Sequence, residues 1–190
     1  MQLHHAVTGA ALCMTLLGLG CTSNPPTQDL AEASHPSAQT LTAVADLSPT
    51  AGNAVRGTVM LTREEGGVRI VADLEGLTPG EHGFHIHEGG DCLTLNATSP
   101  DIHFNPAAGS AHGGPDTPQR HAGDLGNLVA DASGRARYDR IEPGLALEGD
   151  GSVVGHLIVV HGAADDLVSQ PDGRAGPPVA CGVLSLLGTP

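Results

Sequence analysis

Six histidines and one aspartate carry the strongest chemical signal in this chain of 190 residues. His85 and His87 stand two apart, so on a strand both rings point to one face. His103, His112 and His121 follow at even intervals through an irregular stretch, and Asp124 comes three residues after His121. His161 ends the apolar run Leu157-Ile158-Val159-Val160. Imidazole suits copper and zinc, and an added carboxylate suits zinc. A lone histidine is more often a surface or hydrogen-bonded residue. Six of the chain's 11, gathered around one stretch, point to a metal centre instead. His156 reads as strand surface, His4, His5 and His35 precede the domain, and Glu64-Glu65 reads as a solvated turn.

The elements that must hold these residues read as strands. Val55, Gly57, Val59 and Leu61 fall on one face of an alternating run, and Arg56, Thr58, Met60 and Thr62 on the other. After the turn Glu64-Glu65-Gly66-Gly67, Val68, Ile70, Ala72 and Leu74 alternate again, as a hairpin with one buried face does. A further turn, Thr78-Pro79-Gly80, leads into Gly83-Phe84-His85-Ile86-His87. From residue 88 to 123 no period holds, and a loop of that length in a compact domain is usually functional. Strand signals resume at 125–130, 136–141, 145–147, 153–161 and 180–187. About eight strands joined by tight turns predict an all-β domain, an eight-stranded Greek-key sandwich or flattened barrel with long metal-binding loops.

Composition narrows the partners. All eight basic residues are arginines, against 21 acidic ones, for a net charge of −13. That balance disfavours nucleic acid and anionic membrane surfaces. Any anionic substrate must be drawn by a local positive site.

Residues 1–20 resemble an export signal, too short for a membrane span. Leu17-Gly18-Leu19-Gly20-Cys21 is similar to a bacterial lipoprotein cleavage site, which would lipidate Cys21; an ordinary cleaved signal is the alternative. Residues 21–39 are a Pro/Ser-rich tether, and the domain runs from about 40 to 190. The expected location is the cell envelope, either periplasmic or held to a membrane only by that lipid. Cys13 leaves with the signal and Cys21 becomes the anchor, so Cys92 and Cys181 remain. In an oxidising compartment a bridge between them is favoured over two buried thiols.

Several ordered motifs together resemble the Cu/Zn superoxide dismutase family over roughly residues 40–188. They are Gly83-Phe84-His85-Ile86-His87-Glu88, His103-Phe104-Asn105-Pro106, His112-Gly113-Gly114-Pro115, Arg120-His121-Ala122-Gly123-Asp124-Leu125-Gly126-Asn127, Val159-Val160-His161, Ala164-Asp165-Asp166-Leu167 and Ala180-Cys181-Gly182-Val183. The resemblance implies that His85, His87, His103 and His161 bind copper, and that His103, His112, His121 and Asp124 bind zinc. His103 would then bridge both metals. It implies further that Asp165 links ligand histidines of the two sites, that His82 is structural, and that Cys92 and Cys181 form the family's disulfide. The implied reaction is dismutation of superoxide to oxygen and hydrogen peroxide, with His103 and His161 at the reacting centre. A homodimer is among the assemblies the family allows.

One position departs from the family pattern. An arginine that lines the copper channel stands three residues before the second disulfide cysteine, and here that position is Pro178. Proline carries no charge and no N–H, so weaker steering and slower turnover are expected. Arg174 is the residue that would supply the missing charge, unless it simply sits on a surface loop. The alternative function is a non-catalytic or weakly active copper/zinc-binding envelope protein.

Overall fold

The computed structural model describes residues 40–89, 91–93, 102–107 and 109–188. The signal, the tether and Cys21 lie outside the described residues. The described residues form nine strands: β1 (Thr42–Pro49), β2 (Arg56–Glu64), β3 (Gly67–Glu75), β4 (Gly80–His87), β5 (Asp124–Ala130), β6 (Ala136–Glu142), β7 (Leu157–His161), β8 (Pro178–Val183) and β9 (Ser185–Leu186). Hydrogen bonding runs in the order β2-β3-β6-β5-β4-β7-β8-β1, and β1 returns to pair with β2, so eight strands close into a barrel. The two-residue β9 adds onto β1. Every strand pairing is antiparallel, and the β3–β6 and β4–β7 neighbours are the Greek-key crossings.

The alternation seen in the sequence is what closes the core. Val59, Leu61, Val68, Ile70, Ala72 and Leu74 are buried, on the inward phase of β2 and β3. Ala43, Ala45 and Leu47 do the same on β1. The seam between β5 and β6 is the loosest, since the two strands meet at a single pair, Ala130 and Ala136. Tyr138 bridges that seam through a hydrogen bond from its hydroxyl to the Leu125 carbonyl, 3.1 Å, while its ring meets Phe84 edge-on at 5.2 Å.

Three strand expectations are corrected. Residues 145–147 form a loop with one isolated bridge, Ala146 to Ser152, rather than a strand. Pro143 and Gly144 break the run, and Leu145 and Leu147 are buried without a partner strand. The strand expected over 153–161 begins only at Leu157, because Gly155 takes a left-handed φ of 89° and turns the chain. The strand expected over 180–187 starts earlier, at Pro178, and splits at the buried Leu184 into β8 and β9.

β4 positions the site. Phe84 and Ile86 face the barrel core, both 0% exposed. His85 and His87 therefore face outward, yet they too are buried, beneath the loops that follow β4 and β7. The core thus closes without using the histidines.

Candidate metal centre

The loop after β4 returns to β4 by backbone hydrogen bonds. Phe104 N–H donates to the Ile86 carbonyl at 2.7 Å, Ile86 N–H to the Gly123 carbonyl at 2.9 Å, and Gly123 N–H to the Phe104 carbonyl at 2.9 Å. Gly123 permits this approach, because a Cβ there would lie 2.2 Å from the Ile86 oxygen. These contacts bring His103 beside His87, and His121 and Asp124 to the same spot.

Two ligand groups result. His103, His112, His121 and Asp124 each offer an atom within 4.8 Å of the others, and so do His85, His87 and His103. His103 belongs to both. His161 joins the second group, its Nε2 3.3 Å from Nε2 of His87. Asp124 Oδ1 lies 2.5 Å from His103 Nδ1, 3.1 Å from His112 Nδ1 and 3.3 Å from His121 Nδ1. Because Nδ1 of His103 faces Asp124, the nitrogen it has for the His85–His87 side is Nε2. All seven residues singled out in the sequence are therefore gathered, in two sets that share one ring.

Asp165 joins the sets from behind. Its Oδ2 is 2.8 Å from His85 Nε2 and its Oδ1 is 2.9 Å from His112 Nε2. Asn127 fixes Asp165 by clasping its backbone, accepting from its N–H at 2.8 Å and donating to its carbonyl at 2.9 Å. His82 is buried beneath, its Nδ1 2.8 Å from the His161 carbonyl and its Nε2 2.8 Å from the Thr78 carbonyl. His156 is more than strand surface. It precedes β7, packs its ring on Phe104 and accepts the Gly89 N–H at 3.1 Å. The Cys92–Cys181 disulfide is formed and ties the loop to β8.

Electrostatics suit neutral imidazole on one side and carboxylate on the other. Burial, outweighing the bond to Asp165, pushes His85 down to about 3, so it is neutral at physiological pH. Burial works to lower His112 as well, but its hydrogen bonds to Asp124 and Asp165 outweigh that and raise it to about 10. Burial alone would raise Asp124 and Asp165. Hydrogen bonds from His103 and His112 to Asp124, and from His112 and His85 to Asp165, hold both carboxyls well below the usual range.

His85 Nδ1 gives the test of fit. It is buried and has no hydrogen-bond partner among the described residues, a costly state for a lone pair. A metal ion is the partner that satisfies a buried, neutral imidazole nitrogen surrounded by others. The donor set thus fits copper on the all-histidine side and zinc on the side with the carboxylate.

Pro178 is the cross-strand partner of His161, with a register shift at that point. Arg174 is exposed, with a left-handed φ of 54°, and its charge acts on Asp166.

Sequence reasoning missed several supports. The Gly176 carbonyl accepts from His161 Nδ1 at 2.8 Å. Gln170 clasps the backbone of His112 with two bonds of 2.8 Å. Gly173 lies so close to the Asp165–His112 contact that a Cβ would fall 1.8 Å from Asp165 Oδ1. Main-chain acceptors and long-range amides leave no mark in a sequence. Glu142 did leave one: it is a charged residue on the inward phase of β6, 1% exposed.

Known proteins agree with this geometry. The family model described as copper/zinc superoxide dismutase (SODC) matches residues 55–184. A protein named Superoxide dismutase [Cu-Zn], from Paramecium bursaria Chlorella virus 1, is 45% identical over 137 residues, covering 68% of this chain and 72% of the relative. Among solved structures, the clock protein EA4 superposes with a TM-score of 0.67 at 38% identity, over 80% of this chain and 99% of that one.

Proposed function

The chain belongs to the copper/zinc superoxide dismutase family, and on that premise we propose that it dismutates superoxide at a copper site joined to zinc through His103. It is a superoxide dismutase that binds copper and zinc. The observation that carries the joined site is that His103 belongs to both ligand groups. Copper when bound supplies the one-electron exchange that turns two superoxide anions into oxygen and peroxide, and zinc supplies fixed charge and loop order.

The chain's residues do the rest. His85, His87 and His161 would hold copper, with the His85 ring oriented by Asp165 and the His161 ring by the Gly176 carbonyl. Asp124 keeps His103 oriented through Nδ1, so that Nε2 is the atom that can take up and return a proton on the copper side. His112, held between Asp124 and Asp165, would offer zinc its Nδ1 after losing the proton there, while Nε2–H stays on Asp165. Hydrogen peroxide release needs two protons, and the His103 ring is placed to deliver one.

Supporting an envelope role are the signal-like residues 1–20 and the oxidised Cys92–Cys181 pair, which belongs in an oxidising compartment. On the loop 162–177 Arg174 is the single basic residue, so any guiding charge from that loop falls to it. The complete ligand set argues against a purely metal-storing role. The experiment is a superoxide-removal assay on metal-loaded protein, with metal analysis. Activity that survives His103→Ala with both metals still bound would reject the joined site as the working centre.

A further inference from the structure

β6 ends in a charge cluster that the ligand geometry does not itself require. The Glu142 side chain is 1% exposed, and its Oε2 accepts from Arg120 Nη2. Its Oε1 lies 2.7 Å from Arg140 Nε, as a close ion pair. Each guanidinium then reaches away from Glu142 to a different part of the segment that carries the zinc ligands. Arg120 Nε donates to the Asp124 carbonyl at 3.1 Å. Arg140 Nη2 donates to Asp116 Oδ1 at 2.7 Å and to the Pro115 carbonyl at 3.3 Å. Two arginines and two carboxylates balance in charge, so the buried Glu142 carboxylate is fully paired while Asp116 stands at the exposed end of the cluster.

We propose that Arg140 is a positioning residue of the zinc site. It fastens residues 115–116 to the barrel and, by sharing Glu142 with Arg120, holds the Asp124 end as well. The inference rests on the reading that His103, His112, His121 and Asp124 bind zinc. That segment has little regular structure of its own, and gathering four ligands from it costs chain entropy. A loop fastened in the metal-free protein has met part of that cost before zinc arrives, so affinity rises without any new ligand. Copper is held mainly from β4 and β7, which the clamp does not touch.

The test uses the whole chain and measures zinc and copper affinities separately, by competition with a chromophoric chelator. Arg140→Met is expected to weaken zinc about tenfold, in the range seen when outer partners of ligands are removed, with copper unchanged. In the metal-free protein, amides of residues 113–121 should exchange faster while those of β4 and β7 do not change. Arg140→Lys keeps the charge but cannot grip Glu142 and Asp116 together, and should recover only part of the loss. Asp116→Asn supports the same measurement should Arg140→Met fold poorly, because the Asp116 side chain is 91% exposed; a smaller loss confined to zinc is expected. Unchanged zinc affinity and exchange in Arg140→Met, or equal losses for both metals, overturns the proposal. Failure of the wild-type protein to take up zinc at these residues would overturn the ligand assignment instead.

Discussion

Asp165→Asn should separate the two metals. The native carboxylate accepts three donors: His112 Nε2–H at 2.9 Å and Leu167 N–H at 2.7 Å on Oδ1, and His85 Nε2–H at 2.8 Å on Oδ2. Asparagine has one accepting oxygen and one donating NH2. With its NH2 at the Oδ1 position it would oppose both Leu167 and His112. With its NH2 at the Oδ2 position it opposes only His85, so that orientation is preferred. His85 can relieve the clash by moving its proton from Nε2 to Nδ1. Nδ1 is the buried nitrogen left without a hydrogen bond, the atom that would bind copper under the proposed function. The substitution therefore places a proton on a copper ligand while His112 keeps its partner.

The magnitude follows from one charge-assisted hydrogen bond, about 1.5–3 kcal/mol. At about 1.36 kcal/mol per tenfold, copper affinity should fall about 10- to 100-fold. Loss of the carboxylate charge weakens both metals alike, so the readout is the ratio of the two affinities, measured by competition titration at one pH. A copper-to-zinc affinity ratio that stays constant, or moves against zinc, would refute the tautomer argument.

Pro178→Arg places a guanidinium beside His161, and the dismutation rate should rise by about tenfold at low salt with a steeper fall as ionic strength increases; an unchanged rate and salt slope would show that steering does not limit this protein. Replacing both Cys92 and Cys181 by alanine opens a loop with a sequence separation of 89, which chain entropy values at about 4–5 kcal/mol. Denaturant unfolding of that variant would contradict this if the loss were below about 1 kcal/mol. In metal-free protein His112 is raised above its usual 6.5, so its contribution is complete below pH 6.5 and is lost as pH rises to about 10. His85 has the opposite sign: it is lowered to about 3, so its contribution is lost as pH falls from 6.5 toward 3. Urea midpoints of metal-free wild type and His112→Gln should therefore converge from pH 6.5 to 10; parallel curves would reject the assignment.

The cluster of six histidines and Asp124 was legible because these side chains are chemically distinctive and the fold brings them together. His85 and His87 could be placed on one face from their spacing alone. The hairpin of β2 and β3 was equally plain, since one face is apolar and the other is not. What period-2 reasoning could not see is where a strand stops for lack of a partner. Leu145 and Leu147 alternate like strand residues but have no neighbour to bond, and so they fill space as a loop. β1 carries a weaker pattern, diluted by Ala43 and Ala45, and only its pairing with β2 and β8 defines it. The groups that aim the ligands were the least visible. The Gly176 carbonyl is common to every residue type, and Gln170 meets His112 from 58 positions away. Glu142 was the exception, a carboxylate on an inward phase that needs partners wherever it is buried.

On β4, Phe84 and Ile86 complete the barrel wall while His85 and His87 point away from it. Because none of the described apolar core residues belongs to the histidine–aspartate cluster, the barrel can close before any metal is acquired. A newly made chain can become a folded shell in surroundings that hold neither ion. The activity of such a chain would date from delivery rather than from synthesis. For such a molecule metal supply acts as a developmental stage, and a stock of finished but unarmed barrels can be switched on without making any new protein.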